Sequence, residues 1–208
     1  MVMTVVDGSR WIVVDIDNTV ANTNRELVRK FGGSLDEYSF NQVPQGFFGT
    51  SEGLRLLQDA VAFPDAAWAL RALMSLGARL QYVSCRPAGA LSVTERWLQV
   101  NGFPKGPVLT GLSRKCKVYI VAGAMRPGMV FEDDPVVAAS ITPMVGMVWL
   151  KDWPYNRKHP PPERPWPATV LRFDTWAEIL HIALEARNGL LPKRSGRGNR
   201  KSKVLETS

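Results

Sequence analysis

Residues 10–21 read RWIVVDIDNTVA, and the reading of this stretch decides the fold. Trp11 to Val14 is a short apolar run that ends in two carboxylates one residue apart, Asp15 and Asp17, with Asn18 and Thr19 directly behind them. An apolar, β-branched run bounded by polar turn residues predicts a buried strand. Two acids at its end are costly unless a cation or a reaction needs them there. In open α/β sheets, ligands bind beyond the carboxyl ends of the strands, which is where these acids fall. The alternative is an Asp-rich turn that closes the strand, with Asp17 and Asn18 as turn or cap residues. What separates the two readings is whether polar groups recur at later strand ends.

They do recur. Thr23 to Phe31 reads as a short amphipathic helix stopped by Gly32-Gly33. Ser34 to Phe63 is broken and aromatic, with Tyr38, Phe40, Phe47 and Phe48 among prolines and glycines, and Gly53 to Val61 reads as a second helix. Residues 22–62 are therefore expected to be a small helical cap inserted after the first strand. A helix opened by Pro64-Asp65 and stopped by Gly77 leads to a strand at Arg79 to Val83, which ends in Ser84-Cys85-Arg86-Pro87. A helix at Ala90 to Asn101, a short strand at Pro107 to Thr110 and a helix at Lys115 to Ala124 follow. The Gly128 to Phe131 strand ends in Glu132-Asp133-Asp134-Pro135. A helix (Val136 to Ile141), a strand (Gly146 to Leu150), a proline-rich loop (Trp153 to Pro167), a strand (Thr169 to Phe173) and a helix (Trp176 to Asn188) complete the pattern. Strands alternating with helices predict an α/β fold with a doubly wound, mostly parallel sheet.

The 208 residues suffice for one well-cored domain, expected over 1–188. The net charge of +7 is concentrated beyond Pro192, where Lys193, Arg194, Arg197, Arg200, Lys201 and Lys203 face one acid, Glu206. Residues 189–208 are therefore expected to be a basic, disordered tail able to make weak contact with nucleic acid. Two cysteines, Cys85 and Cys116, form neither a disulfide framework nor a metal motif, which points to a reducing, cytoplasmic setting. Both cysteines are read as packing residues, and His159 and His181 have no partner motif. No apolar run approaches the roughly 20 residues that span a bilayer. No signal peptide is expected either.

The strand-end groups suit phosphoryl transfer, which needs a nucleophile, a proton donor, a divalent cation and positive charge around the phosphate. Asp15 can attack and form an aspartyl-phosphate. Asp17 can protonate the leaving oxygen and then deprotonate the attacking water. A neighbouring anion is expected to raise the pKa of one acid and so to favour a proton on Asp17. Asp133 converges with Asp15 on a hard cation, Mg²⁺. Ser84 can donate to the phosphate, Arg86 can contact it or ion-pair within its own loop, and a lysine can neutralise it.

In DIDNT, Ser84, Lys115 and EDDP, in that order, the chain resembles the haloacid dehalogenase-like phosphatases. The resemblance implies that Asp15 is the nucleophile, Asp17 the acid/base, Ser84 and Lys115 phosphate ligands, and Asp133 a ligand of a required Mg²⁺. It also implies that Asp17 offers the metal its backbone carbonyl. Lys115 is preferred over Lys117 on family spacing, and Lys117 and Asp134 are read as solvated side chains. The flanks FPDAAWALRAL, VSCRP, WPYNR and RFDTW look like those of the 5'(3')-deoxyribonucleotidases. That narrower resemblance implies a nucleoside monophosphate substrate, with Phe47 and Phe48 stacking on the base. RKCKV and VFEDDP also look like the phosphatase part of polynucleotide kinase-phosphatases, so a 3'-phosphatase for DNA or RNA ends is the alternative. No Gly-rich phosphate loop marks a kinase half. An inactive nucleic-acid-binding protein that keeps the fold is a third reading, motivated by the basic tail. Base preference and oligomeric state are not legible.

Overall fold

β1 (Trp11–Val14) is the strand at the centre of the molecule, and everything else is laid out on either side of it. The computed structural model describes residues 11–37, 42–158 and 166–188; the basic tail, Tyr38, Phe40 and His159 lie outside the described residues. Six strands, β1, β2 (Arg79–Val83), β3 (Val108–Leu109), β4 (Met129–Glu132), β5 (Val148–Lys151) and β6 (Val170–Phe173), form one sheet in the order β3-β2-β1-β4-β5-β6. Every neighbouring pair is parallel, with Val14 opposite Tyr82 on one side and Phe131 on the other. The chain winds outward from β1 to β3 and then returns to place β4 on the other side of β1. That reversal opens a crevice beyond the ends of β1 and β4, the place where such sheets bind ligands.

Alternation along each strand feeds two cores, as a sheet covered on both faces requires. Ile12, Val14 and Phe131 face one core with α3 (Ala66–Ser75), α4 (Leu91–Val100) and α7 (Trp176–Arg187). Val13, Val130 and Val148 face the other, with α6 (Pro135–Ile141) and the π-helical segment Tyr119–Met125 that continues α5 (Arg114–Val118). Each strand or helix expected from the sequence forms within a few residues of its expected bounds. The described part of the proline-rich loop after β5 contains a 3₁₀ turn, Pro154–Asn156.

The ends of the 22–62 segment are joined at a neck. Ala21 bridges Ala62 antiparallel, Asn22 N–H donates to the Val61 carbonyl at 2.8 Å and Phe63 N–H to that of Val20 at 2.9 Å. Above the neck, α1 (Thr23–Phe31) and α2 (Ser51–Asp59) enclose a separate small core of Leu27, Phe47 and Leu56, with Phe31 meeting Phe47 edge to face at 5.0 Å. Gly53 lets α2 sit down on the Phe47–Gly49 turn, because a Cβ there would stand 2.0 Å from the Phe47 carbonyl oxygen.

Candidate active site

DIDNT folds tightly because Asn18 takes a left-handed conformation (φ 62°), which asparagine tolerates better than most residues. The turn is held from several directions. Asn18 N–H donates to the Ala21 carbonyl at 2.6 Å, Trp153 Nε1 donates to the Asn18 carbonyl at 2.8 Å, and Trp176 Nε1 to that of Thr19 at 2.8 Å. Asp15, one residue past β1, is thereby buried at the floor of the crevice, and Asp17 stands half-buried above it.

One lysine holds the floor together. Lys117 Nζ lies 2.5 Å from Asp15 Oδ1 and 2.8 Å from Glu132 Oε2, and all three residues are buried. The expectation that Lys115 fills this place is corrected, because Lys115 is exposed on the opposite side of α5. Burial alone would lower the Lys117 pKa, but the facing carboxylates of Asp15 and Glu132 push it well above the ordinary lysine value. The reading of Asp134 as a solvated side chain is likewise corrected. It is buried, caps α6 by accepting from Val136 N–H at 2.8 Å, and pairs with Arg114 at 2.5 Å.

Asp15, Glu132 and Asp133 can each present a carboxylate oxygen to one point, the three atoms lying within 4.8 Å of one another. Three buried acids against one lysine are in electrostatic deficit. Burial raises the Asp15 pKa to about 7 despite Lys117, with Glu132 and Asp17 adding to the rise. Burial, then Asp15 and Glu132, drive Asp133 well above the usual carboxylate range. A divalent cation with oxygen ligands fits this donor set and would relieve the deficit. Asp133 is aimed by groups absent from the expected site. Tyr155 Oη donates to its Oδ2, Thr19 Oγ1 to its Oδ1 at 3.4 Å, and Asn156 Nδ2 to its carbonyl at 2.9 Å. Arg172 in turn donates to Asn156 Oδ1 at 2.7 Å. Glu132 Oε1 accepts from the N–H groups of Asp133 and Asp134 at 3.2 and 3.1 Å.

Asp17 has different company. Arg86 Nε sits 3.1 and 3.0 Å from its two carboxylate oxygens, Arg86 Nη2 is 2.9 Å from Oδ1, and Thr23 Oγ1 donates to Oδ1 at 2.5 Å. Burial works to raise the Asp17 pKa, but Arg86 and Thr23 outweigh it and hold the carboxyl below its usual value. The expectation of a proton on Asp17 is therefore corrected: Asp15 rises and Asp17 falls. Arg86 is buried, spanning Asp17 and Thr94 Oγ1 (3.2 Å), so the structure places it in the ion pair instead of on a free phosphate-facing arc. Ser84 is fully buried with its Oγ 3.4 Å from Asp17 Oδ2.

A cavity of about 330 Å³ lies over Asp15, walled by Lys117, Asp133, Ser113 and Arg114. Beside it, a second cleft of about 330 Å³ runs under the cap, lined by Phe48, Leu27, Val43 and Leu57. Asp17, Asn18 and Cys85 line both. Of the two residues expected to stack on a base, Phe48 lines the second cleft. Phe47 does not; it is 6% exposed in the cap's own core, where its ring meets that of Phe48 edge to face at 5.4 Å. Both cysteines are exposed, which corrects their reading as packing residues; partial desolvation at the crevice still pushes the Cys85 thiol up to about 11, keeping it unreactive. His181 is on the surface of α7, 3.2 Å from Glu185.

Comparison with solved structures assigns the architecture. A D,D-heptose 1,7-bisphosphate phosphatase from B. bronchiseptica, complexed with magnesium and phosphate, superposes with a TM-score of 0.54 at 10% identity, over 84% of this chain and 98% of that one. The fold is that of the HAD-superfamily hydrolases. A dehalogenase with an intermediate complex matches at TM-score 0.58 and 12% identity, covering 85% and 98%. A HAD-superfamily hydrolase from Ehrlichia chaffeensis matches at 0.50 and 10%, covering 86% and 98%. No protein-family model matches the sequence, and no curated protein does. On this HAD-like fold, the acid trio occupies the crevice between β1 and β4. Among the described residues, no helix is long and apolar enough to cross a membrane.

Proposed function

We propose that this chain is a Mg²⁺-dependent phosphomonoesterase that works through an aspartyl-phosphate on Asp15 and acts on nucleoside monophosphates. The observation that carries the reading is the floor of the crevice, where Asp15, Glu132 and Asp133 converge around Lys117 beneath a cavity of about 330 Å³. Displacement of a halide needs an aspartate but neither a proton donor nor a surplus of acids. Here two further buried carboxylates and a second aspartate surround the first, which suits a reaction in which a divalent cation held by those acids neutralises an anionic substrate and the leaving group takes up a proton.

The roles follow from position. Asp15 is the nucleophile, and the Lys117 ammonium beside it stabilises its carboxylate and the incoming phosphate oxygens. Asp15, Asp133 and the Asp17 carbonyl would hold Mg²⁺, with Glu132 lending its charge. The ion supplies Lewis-acid neutralisation of the phosphate when bound. Asp17 lies where the cavity meets the cleft, beside the oxygen of the leaving group. Held ionised by Arg86, it is ready as the base toward water; to act first as the acid it takes a proton from solvent before the ester bond breaks and passes that proton to the leaving oxygen. Ser84 and Arg86 fix its carboxylate.

The second cleft would take the leaving group. Its apolar wall with Phe48 suits a nucleobase, and its size suits one nucleoside in preference to a polynucleotide end. The test is phosphate release, with Mg²⁺, from a panel of nucleoside 5'- and 3'-monophosphates, sugar phosphates and a 3'-phosphorylated oligonucleotide. Fast release from mononucleotides supports the reading. No release from any mononucleotide removes the nucleotidase part, and a strong preference for the oligonucleotide replaces it with an end-processing phosphatase.

A further inference from the structure

The cleft under the cap contains a polar group that neither the sheet nor the proposed chemistry uses. Asn24, in the first turn of α1, is 2% exposed and lines this cleft together with Asp17, Phe48 and Leu27. Its amide orientation is fixed by a short chain of hydrogen bonds. Asn18 Oδ1 accepts from the Asn24 backbone N–H at 2.9 Å, which settles which end of the Asn18 amide is oxygen. Asn18 Nδ2 must then be the donor to Asn24, and it reaches Asn24 Oδ1 at 3.0 Å. What is left over is Asn24 Nδ2. It is shielded from solvent and has no hydrogen-bond partner among the described residues.

Buried donors without partners are rare in native proteins, and each asks for an explanation. The local geometry gives one. The carboxamide is immobilised by Asn18, a residue that lines both the phosphate cavity and the cleft. Among the described residues, the rest of the cleft lining offers no free acceptor: Leu27, Val43, Phe48 and Leu57 are apolar, and the Asp17 carboxylate already accepts from Thr23 and Arg86. The acceptor would therefore arrive with the ligand. A phosphomonoester seated over Asp15 passes its ester oxygen by Asp17 and sends the rest of its leaving group into this cleft.

We infer that Asn24 is a specificity-determining residue whose Nδ2 donates to a neutral oxygen, a hydroxyl or an ether, carried by the leaving group close to the scissile bond. This rests on the phosphomonoesterase reading above and narrows it to esters of oxygen-rich alcohols, such as the sugar of a nucleotide, over plain aryl or alkyl phosphates. An anionic acceptor is disfavoured, since Asp17 shares the cleft.

The experiment compares two substrates in the full chain with Mg²⁺. One is the best oxygen-bearing phosphomonoester of a nucleotide and sugar-phosphate panel. The other is phenyl phosphate, which carries no oxygen beyond its phosphate group. The readout is the ratio of their kcat/KM values. Asn24→Ala should lower that ratio about tenfold, the loss expected for one hydrogen bond to a neutral acceptor. Asn24→Asp keeps the acceptor for Asn18 and exchanges the donor for an anionic oxygen; the added charge acts on both phosphomonoesters, so the ratio should still fall at least as far, even if the alanine variant folds poorly. A ratio unchanged in both variants overturns the assignment. So does a wild-type protein that prefers phenyl phosphate to every oxygen-bearing ester, and in that case the phosphomonoesterase reading still stands. Failure of the wild type to release phosphate from any ester removes both.

Discussion

Removing divalent metal should make this protein less stable as pH rises from 5 to 8, the opposite of the trend set by carboxylates that are ion-paired in the folded state. The cause is Asp15, whose pKa is raised by burial from 3.8 to about 7 in the metal-free protein. A carboxyl that binds its proton more tightly folded than unfolded contributes stability that is fully present below the unfolded pKa. That contribution is lost as pH climbs through the folded value. At about 1.36 kcal/mol per pKa unit, the span from 3.8 to about 7 corresponds to about 4 kcal/mol. Between pH 5 and 8 only the upper part of it is lost, about 2–3 kcal/mol. Asp133 is raised too and acts in the same direction. Asp17 is lowered, so its contribution is lost only as pH falls below the ordinary carboxylate value, outside this window. The assay is urea unfolding in EDTA at pH 5, 6.5 and 8, repeated with millimolar Mg²⁺. The denaturation midpoint should fall with pH in EDTA, and the fall should shrink with Mg²⁺, which binds the folded acids. A midpoint that rises steadily from pH 5 to 8 in EDTA refutes the reasoning, because the acids would then be ionised without cost.

Five substitutions probe the rest of the site. Lys117→Met should lower kcat/KM for phosphate release about 100-fold or more, the scale of losing one preorganised positive group, while Lys115→Met stays within about threefold. Tyr155→Phe removes the hydroxyl that orients Asp133 and should weaken Mg²⁺ activation about tenfold, read as a higher metal concentration for half-maximal rate. Phe48→Ala should raise KM for a nucleotide while the melting temperature changes little. Phe47→Ala should instead destabilise the cap by about 3 kcal/mol, seen by hydrogen exchange in α1 and α2.

Most of the fold was legible because its signals are local. Each strand is an apolar run that alternates between two buried faces, and the polar residues that stop it are the same ones that line the crevice. The crevice positions of Asp15 and Asp133 could be read on that basis; Ser84, expected to donate to the phosphate, is instead fully buried beside Asp17 and lines neither cavity. Choosing between the two lysines could not rest on such a signal. At about 100° per residue, positions two apart on a helix face nearly opposite ways, so the phase of α5 decides which lysine enters the site. Ser113, which caps α5 and accepts from Cys116 N–H at 3.2 Å, sets that phase and turns Lys117 inward. The Phe47 and Phe48 pair poses a related problem in a turn: both rings join the cap core and touch at 5.4 Å, but only Phe48 also lines the cleft. Tyr155 and Asn156 were hidden because nothing local in a proline-rich loop shows that it folds back over Asp133. The Asp17–Arg86 pair joins residues 69 apart in sequence, and only the three-dimensional arrangement reveals which neighbour controls the charge of Asp17.

The central claim is that phosphate passes through the Asp15 carboxylate. Its most direct measurement is rapid acid quench of the wild-type protein turning over a phosphate-labelled ester with Mg²⁺, followed by localisation of protein-bound label. The account predicts base-labile label on Asp15 that forms and decays within one turnover and is absent, together with activity, in Asp15→Asn. Steady phosphate release with no label at Asp15, or from Asp15→Asn at an undiminished rate, would contradict it.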